Sequence, residues 1–162
     1  MARDRQSGPA QDNREDSQAA GGGPFGMAGQ GYGDLAARLL DNGFEPLPIL
    51  AGTKRPAVDA WTTVRIDEAQ VSRWIETFPM AGVGLRTGQL VGIDIDVLDP
   101  DTAHQMGRIV EDRLGSLPMR VGLWPKRLFL ARTETPFAKL SARKLEILGL
   151  GQQFVAFGIH PD

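Results

Sequence analysis

Asp94 and Asp96 stand two residues apart in Val91-Gly92-Ile93-Asp94-Ile95-Asp96-Val97, an otherwise apolar run that reads as a strand. Side chains alternate faces along a strand, so Ile93, Ile95 and Val97 share one face and the two carboxylates share the other. Residues two apart are separated by about 6.5–7 Å, which brings both carboxylates within reach of one divalent ion, or of two ions close together. Like charges at that spacing repel and cost stability unless a cation neutralises them. The alternative is an edge strand with one solvated face.

Glu146 offers a third carboxylate. In Lys144-Leu145-Glu146-Ile147-Leu148, Leu145 and Ile147 face one way and Glu146 the other. If this strand neighbours the first, Glu146 joins Asp94 and Asp96; Asp99 and Asp101 are the competing candidates for a third ligand. Between Ser116 and Lys144 lie Arg120, Lys126, Arg127, Arg132, Lys139, Arg143 and Lys144, opposed by Glu134 alone. Such a run is either a solvated basic face or a source of phosphate contacts. Three carboxylates with cations nearby suit phosphoryl transfer, where metal ions clamp the attacking and leaving oxygens and Lys or Arg hold the phosphates.

Composition narrows the metal. The 162-residue chain has no cysteine, which excludes disulfides, thiolate zinc sites and cysteine nucleophiles. His104 and His160 are its two histidines, too few for a histidine-rich site. A bound metal is therefore expected to be hard and oxygen-ligated, Mg²⁺ or Mn²⁺. Hydrophobic content of 41% and charged content of 23% are ordinary for a globular domain with a real core. A net charge of −2 does not by itself announce nucleic-acid binding. No apolar run approaches the ~20 residues of a membrane span, and the N-terminus lacks a signal-peptide apolar region, so the expected location is cytoplasmic with no membrane partner.

The elements that must position these residues follow from periodicity. Residues 1–32 are Gly-rich and polar without periodicity, a disordered tail; residues 33–162 form the folded domain. Asp34 is expected to cap a first helix carrying Leu35, Ala36, Leu39 and Leu40, with Gly43 as its stop. A proline-broken strand, Phe44 to Leu50, precedes a loop with Lys54 and Arg55, read either as a phosphate contact or as a solvated turn. Asp67 caps a second helix with Val71, Trp74, Ile75 and Phe78 on its buried face. A strand at Gly82 to Arg86 and a Thr87-Gly88 turn lead into the Asp94 strand; the glycines there serve a hairpin or admit a phosphate, with Arg86 a candidate phosphate ligand.

A third helix opens at Asp99-Pro100-Asp101, with Ala103, Met106, Ile109, Val110 and Leu114 at helical spacing and Gly115 at its end. Strands are expected at Met119 to Gly122, Lys126 to Arg132, Lys144 to Leu148 and Gln153 to Ile159. Helices on one side of a mostly antiparallel sheet make an α+β domain. Trp61 and Trp74 are assigned to the core, Glu111-Asp112-Arg113 to an exposed helix face, and His104 has no assigned role. The chain stops just after His160-Pro161-Asp162 without a closing element, which is expected of a catalytic domain truncated at its C-terminus.

From about residue 34 onward the sequence resembles the bifunctional DNA primase/polymerase N-terminal domain of the archaeo-eukaryotic primase superfamily. The resemblance is carried by Gly43-Phe44 to Pro48, Thr53-Lys54-Arg55-Pro56 with Trp61, and Gly82-Val83-Gly84-Leu85-Arg86-Thr87-Gly88. It continues through Ile93-Asp94-Ile95-Asp96, Arg120-Val121-Gly122 with Pro125-Lys126-Arg127, and Leu145-Glu146-Ile147-Leu148. Gly151-Gln152-Gln153-Phe154-Val155 and Gly158-Ile159-His160-Pro161 close it. No single piece is specific; their order and spacing are.

The resemblance implies an RNA-recognition-motif-like core and two-metal synthesis of primers from nucleoside triphosphates on a single-stranded DNA template. It also implies a setting in plasmid, phage or prophage replication, often with a fused or separate helicase. Asp94, Asp96 and Glu146 match the family's metal-binding, catalytic carboxylates. Lys54, Arg55, Arg86, Lys126, Arg127 and His160 become candidates for the nucleotide phosphates. One departure stands out: the second motif usually carries a phosphate-contacting histidine, and Gly122-Leu123-Trp124-Pro125-Lys126-Arg127-Leu128 has none. Lys126 or Arg127 offers a charge-assisted replacement. The competing readings are a metal-dependent nuclease and a catalytically silent nucleotide- or nucleic-acid-binding module.

Overall fold

Asp34 does begin a helix, but from inside it. In the computed structural model, which describes residues 31–158, α1 runs Tyr32–Asp41 with Gly31 at its N-cap. The Asp34 carboxylate accepts from the Gly31 N–H at 3.1 Å, the reaching-back half of a capping box. Tyr32, expected at the end of the tail, is fully buried and its hydroxyl donates to the Pro46 carbonyl at 3.1 Å. The remainder of the expected tail and residue His160 lie outside the described residues.

Strand β1 (Pro46–Ile49) is buried along its whole length, and α2 (Glu68–Thr77) starts where Asp67 accepts from the Gln70 N–H at 3.0 Å. Val71 and Trp74 are buried in α2, with Ile75 and Phe78 packed beside them. After β2 (Gly82–Arg86) and β3 (Leu90–Ile95) comes α3 (Pro100–Leu114), capped by Asp99 through the Thr102 N–H at 2.8 Å. Its buried stripe is Ala103, Met106, Gly107 and Val110. Ile109 falls off that stripe and Leu114 lies past its end, so both are exposed rather than packed.

The remaining elements are β4 (Met119–Arg120), β5 (Arg127–Arg132), β6 (Leu140–Ala142), β7 (Leu145–Leu148) and β8 (Gln153–Phe157). The class is α+β as expected, but the strands divide into two antiparallel sheets, β1-β2-β8 and β4-β5-β3-β7-β6. The division arises because β8 returns to pair with β2 instead of extending the sheet that holds β7. β6 is an exposed edge strand that the sequence pattern does not announce.

Three clusters of apolar side chains hold the layers. Helices α1 and α2 close over Leu47 and Val83 of the smaller sheet. Leu85 and Phe154 of that sheet meet Leu90, Leu128 and Leu148 of the larger one. On the larger sheet's other face, Ile93, Ile95 and Phe129 pack against Ala103, Met106 and Val110 of α3. Among the described residues, no helix is long and apolar enough to cross a membrane.

Candidate active site

Strand register assembles the acidic cluster. Asp94 pairs directly with Glu146 on β7 and with Leu128 on β5, and Leu128 pairs in turn with Arg120 on β4. Directly opposed residues of antiparallel strands share a face, so Arg120, Leu128, Asp94 and Glu146 form one row across four strands. Ile93 and Ile95, pointing the other way, are buried against α3. Burial of these isoleucines therefore fixes the carboxylates on the opposite face. Asp96 lies one residue past β3, held by its backbone N–H donating to the Lys144 carbonyl at 2.8 Å.

The row opens into a cavity of about 450 Å³. Asp94, Asp96 and Glu146 line it together with six cations, Lys54, Arg120, Lys126, Arg127, Arg143 and Lys144. In a chain of net charge −2, this is a local excess of positive charge around an acidic centre. Lys126 Nζ is 2.7 Å from Asp96 Oδ1 and Lys144 Nζ is 4.0 Å from Oδ2. Lys139 Nζ holds Glu146 Oε1 at 2.7 Å.

The two aspartates have opposite electrostatic situations. Burial, followed by the charges of Asp96 and Glu146, pushes the Asp94 carboxyl above its ordinary value, against a smaller pull from Lys54 and Lys126. The hydrogen bond from Lys126 is the main reason Asp96 is held below the ordinary range. Burial draws the Arg120 guanidinium down from its usual value, partly opposed by the charge of Asp94. Asp94 is thus the carboxylate least compensated by its surroundings.

The other residues singled out from sequence divide. Lys54 reaches the cavity from the loop after β1, and that loop is tied to β8 by Gln153 Nε2 donating to the Lys54 carbonyl at 2.8 Å. Arg55, its neighbour, is exposed and does not line the cavity. Arg86 is not brought there either. Its Nε and Nη2 hold the Glu45 carboxylate at 2.9 and 2.8 Å, and Nη1 donates to the Trp61 and Val64 carbonyls at 2.9 and 2.7 Å.

Arg127 pairs with Ile95, which puts its side chain on the α3 side of the sheet. A Cβ on Gly107 would come within 3.1 Å of Arg127 Nη1, so glycine there lets the guanidinium lie against α3. It also lies over the Trp124 ring, 5.6 Å from the centroid. Lys126, one residue earlier, is the member of the pair that meets a carboxylate. Arg120, Arg143, Lys144 and Lys139 belong to the basic run noted above, but strand pairing is what selects them as neighbours of the acidic row.

Among the described residues, no group of three His, Cys, Asp or Glu side chains stands close enough together to hold a metal ion as it is. The donor chemistry nonetheless fits a hard divalent cation: three carboxylates on one wall, one of them destabilised by burial and then by the other two. Lysines at 2.7 Å occupy two of the three carboxylates.

No curated protein matches the chain. The carboxylate row, the cations around it and the strands that carry both all fall inside residues 36–160, the stretch matched by the family model for the bifunctional DNA primase/polymerase N-terminal domain, and the chain belongs to that family.

Proposed function

We propose that this chain carries out template-directed nucleotidyl transfer, extending a primer or an initiating nucleotide on a single-stranded DNA template. The observation that carries the reading is the direct opposition of Asp94 and Glu146, with Asp96 beside them, in one cavity whose lining includes Lys54, Arg120, Lys126, Arg143 and Lys144. A 3′-hydroxyl attacks the α-phosphorus of an incoming nucleoside triphosphate. The new ester P–O bond forms as the bond between the α-phosphorus and the bridging oxygen breaks, pyrophosphate departs, and the hydroxyl proton is lost to solvent.

Asp94, Asp96 and Glu146 are the residues that would hold Mg²⁺ or Mn²⁺ in a two-metal arrangement. Bound there, the metal supplies Lewis-acid neutralisation of charge on the phosphate oxygens. Lys126 and Lys144, released from Asp96, turn to the triphosphate together with Lys54 and Arg143. Lys126 thereby serves where relatives use the histidine of their second motif. Arg86 is left outside this chemistry. The family resemblance alone supports placing the reaction in the replication of a plasmid, phage or prophage element, beside a helicase.

Primer extension on a single-stranded template with Mg²⁺ or Mn²⁺ tests the reading. Wild type is expected to extend, and Asp96→Asn or Glu146→Gln to lower the rate by about 10²–10³-fold, as expected when several kcal/mol of metal-derived stabilisation is lost. Metal-dependent cleavage of the template without extension would make the protein a nuclease. Binding without product would make it a binding module.

A further inference from the structure

Trp124 lies in the loop between β4 and β5 and is 66% exposed, although the Arg127 guanidinium lies over its ring. Leu123 (58%) and Val121 (43%) are exposed beside it in sequence. The other two tryptophans are used differently: Trp74 is buried in the core and Trp61 packs against it. Large apolar side chains clustered in one exposed segment mark a surface that meets something.

What it meets is indicated by the neighbours. Leu123 and Lys126 line the cavity on either side of Trp124 in sequence while Trp124 itself does not, which sets the indole beside the space where a triphosphate would sit. Arg120, Lys126 and Arg127 flank the loop and make its surroundings attractive to a polyanion. An aromatic ring beside a cationic groove is how proteins bind single-stranded nucleic acid, the cations following the backbone and the ring taking a base on its face. The Arg127 guanidinium backs the ring, stiffening it and adding cation–π character.

We propose that Trp124 is a stacking platform for a base of the single strand at the mouth of the cavity, one or more nucleotides away from the reacting position. The proposal rests on the nucleic-acid reading of the cavity but not on its catalysis. A base of a strand, rather than that of a free nucleoside triphosphate, is the occupant because Trp124 stands outside the cavity wall.

The test uses the full chain in EDTA, where no turnover occurs. Affinity for a dye-labelled oligodeoxythymidylate of about 12 nucleotides is read by anisotropy, and intrinsic tryptophan emission is followed in parallel. Wild type is expected to lose emission on binding, with Trp61 and Trp74 supplying the unquenched remainder. Trp124→Phe is expected to abolish the quench while keeping Kd within about threefold, since a phenyl ring still stacks. Trp124→Ala is expected to weaken Kd by about 5- to 100-fold, the range of one lost base–aromatic stack, with an unchanged thermal melt.

Wild-type affinity in Trp124→Ala would overturn the proposal. Equal quenching by thymidine triphosphate alone would also overturn it, by giving the ring to the incoming nucleotide. Failure of primer extension in wild type, with the quench and the Trp124→Ala loss intact, would refute the polymerase reading and leave this one standing. Extension by wild type together with wild-type affinity in Trp124→Ala would do the reverse.

Discussion

Arg86→Ala separates a structural arginine from a phosphate ligand. The side chain is 12% exposed and makes a forked ion pair with Glu45, which is 44% exposed. It also donates to the Trp61 and Val64 carbonyls at 2.9 and 2.7 Å, pinning the segment between β1 and α2 to β2. Truncation costs two charge-assisted hydrogen bonds to carbonyls, at about 1.5 kcal/mol each. The Glu45 pair adds about 0.5–1 kcal/mol, kept low because water takes over the half-exposed carboxylate. The expected loss is about 3–4 kcal/mol, which for a domain of this size lowers Tm by roughly 10–15 °C.

Circular dichroism melts read that loss, and anisotropy with a labelled nucleotide, taken well below the lowered Tm, reads binding. Arg86→Lys keeps a charge but not the fork, so it is expected to fall between wild type and Arg86→Ala in stability. Nucleotide affinity of the folded Arg86→Ala protein is expected within about threefold of wild type, a shift under 1 kcal/mol. A variant that melts with wild type yet loses nucleotide affinity tenfold or more would refute the argument, and would return Arg86 to the phosphate role that the family resemblance implies.

Two further outcomes follow from the same geometry. Asp94 has a folded-state value raised above the ordinary 3.8, so the folded protein binds that proton more tightly than the unfolded chain does. Without metal, stability is therefore expected to fall as pH rises from 3.8 through that raised value; Asp94→Asn is expected to remove this dependence and raise Tm at pH 7, and pH-resolved melts that show no gain would contradict it. Gly149→Ala drives a Cβ into the Phe137 carbonyl, at a position whose own carbonyl accepts the Thr87 hydroxyl. Phe137 and Ala138 meet the new Cβ with backbone atoms, which leaves little room to yield, so a loss of about 1–3 kcal/mol is expected in denaturant titration, and an unchanged midpoint would show that the segment gives way.

Much of the fold was legible because its signals are local. The Asp67 cap with its apolar stripe, the Asp99-Pro100 opening of α3, and the alternation around Asp94 all carry their instructions within a few residues. Where pairing is remote, sequence was a poorer guide. The start of α1 was hidden because Gly31 has no capping side chain and borrows the carboxylate of Asp34. The division into two sheets depends on β8 finding β2 across a long separation in sequence. The short, exposed strand β6 has no apolar alternation to reveal it.

The site divides along the same line. Alternation put Asp94 and Asp96 on one face and gave Glu146 the correct orientation within its own strand, and the pairing of β3 with β7 then set Glu146 opposite Asp94. The contacts of Arg86 were not legible because its partner Glu45 is 41 residues away and its other acceptors are backbone atoms. Within the basic run, composition marked the neighbourhood, but only register distinguishes Arg120, which lies in the acidic row, from Arg132, which stacks on Phe44 at 4.9 Å.

The row from Arg120 through Leu128 and Asp94 to Glu146 also dictates which changes in chain length the protein can survive. Inserting or deleting one residue within β3 or β7 would turn the carboxylate toward α3 and bring an isoleucine into the cavity, exchanging the acidic wall and the core in a single event. The segments between strands, such as residues 133–136, are free of that parity rule and can lengthen or shorten without moving any carboxylate to the wrong face. Variation among chains of this architecture is therefore expected to accumulate as loop-length differences around strands whose residue count between turn and carboxylate stays fixed.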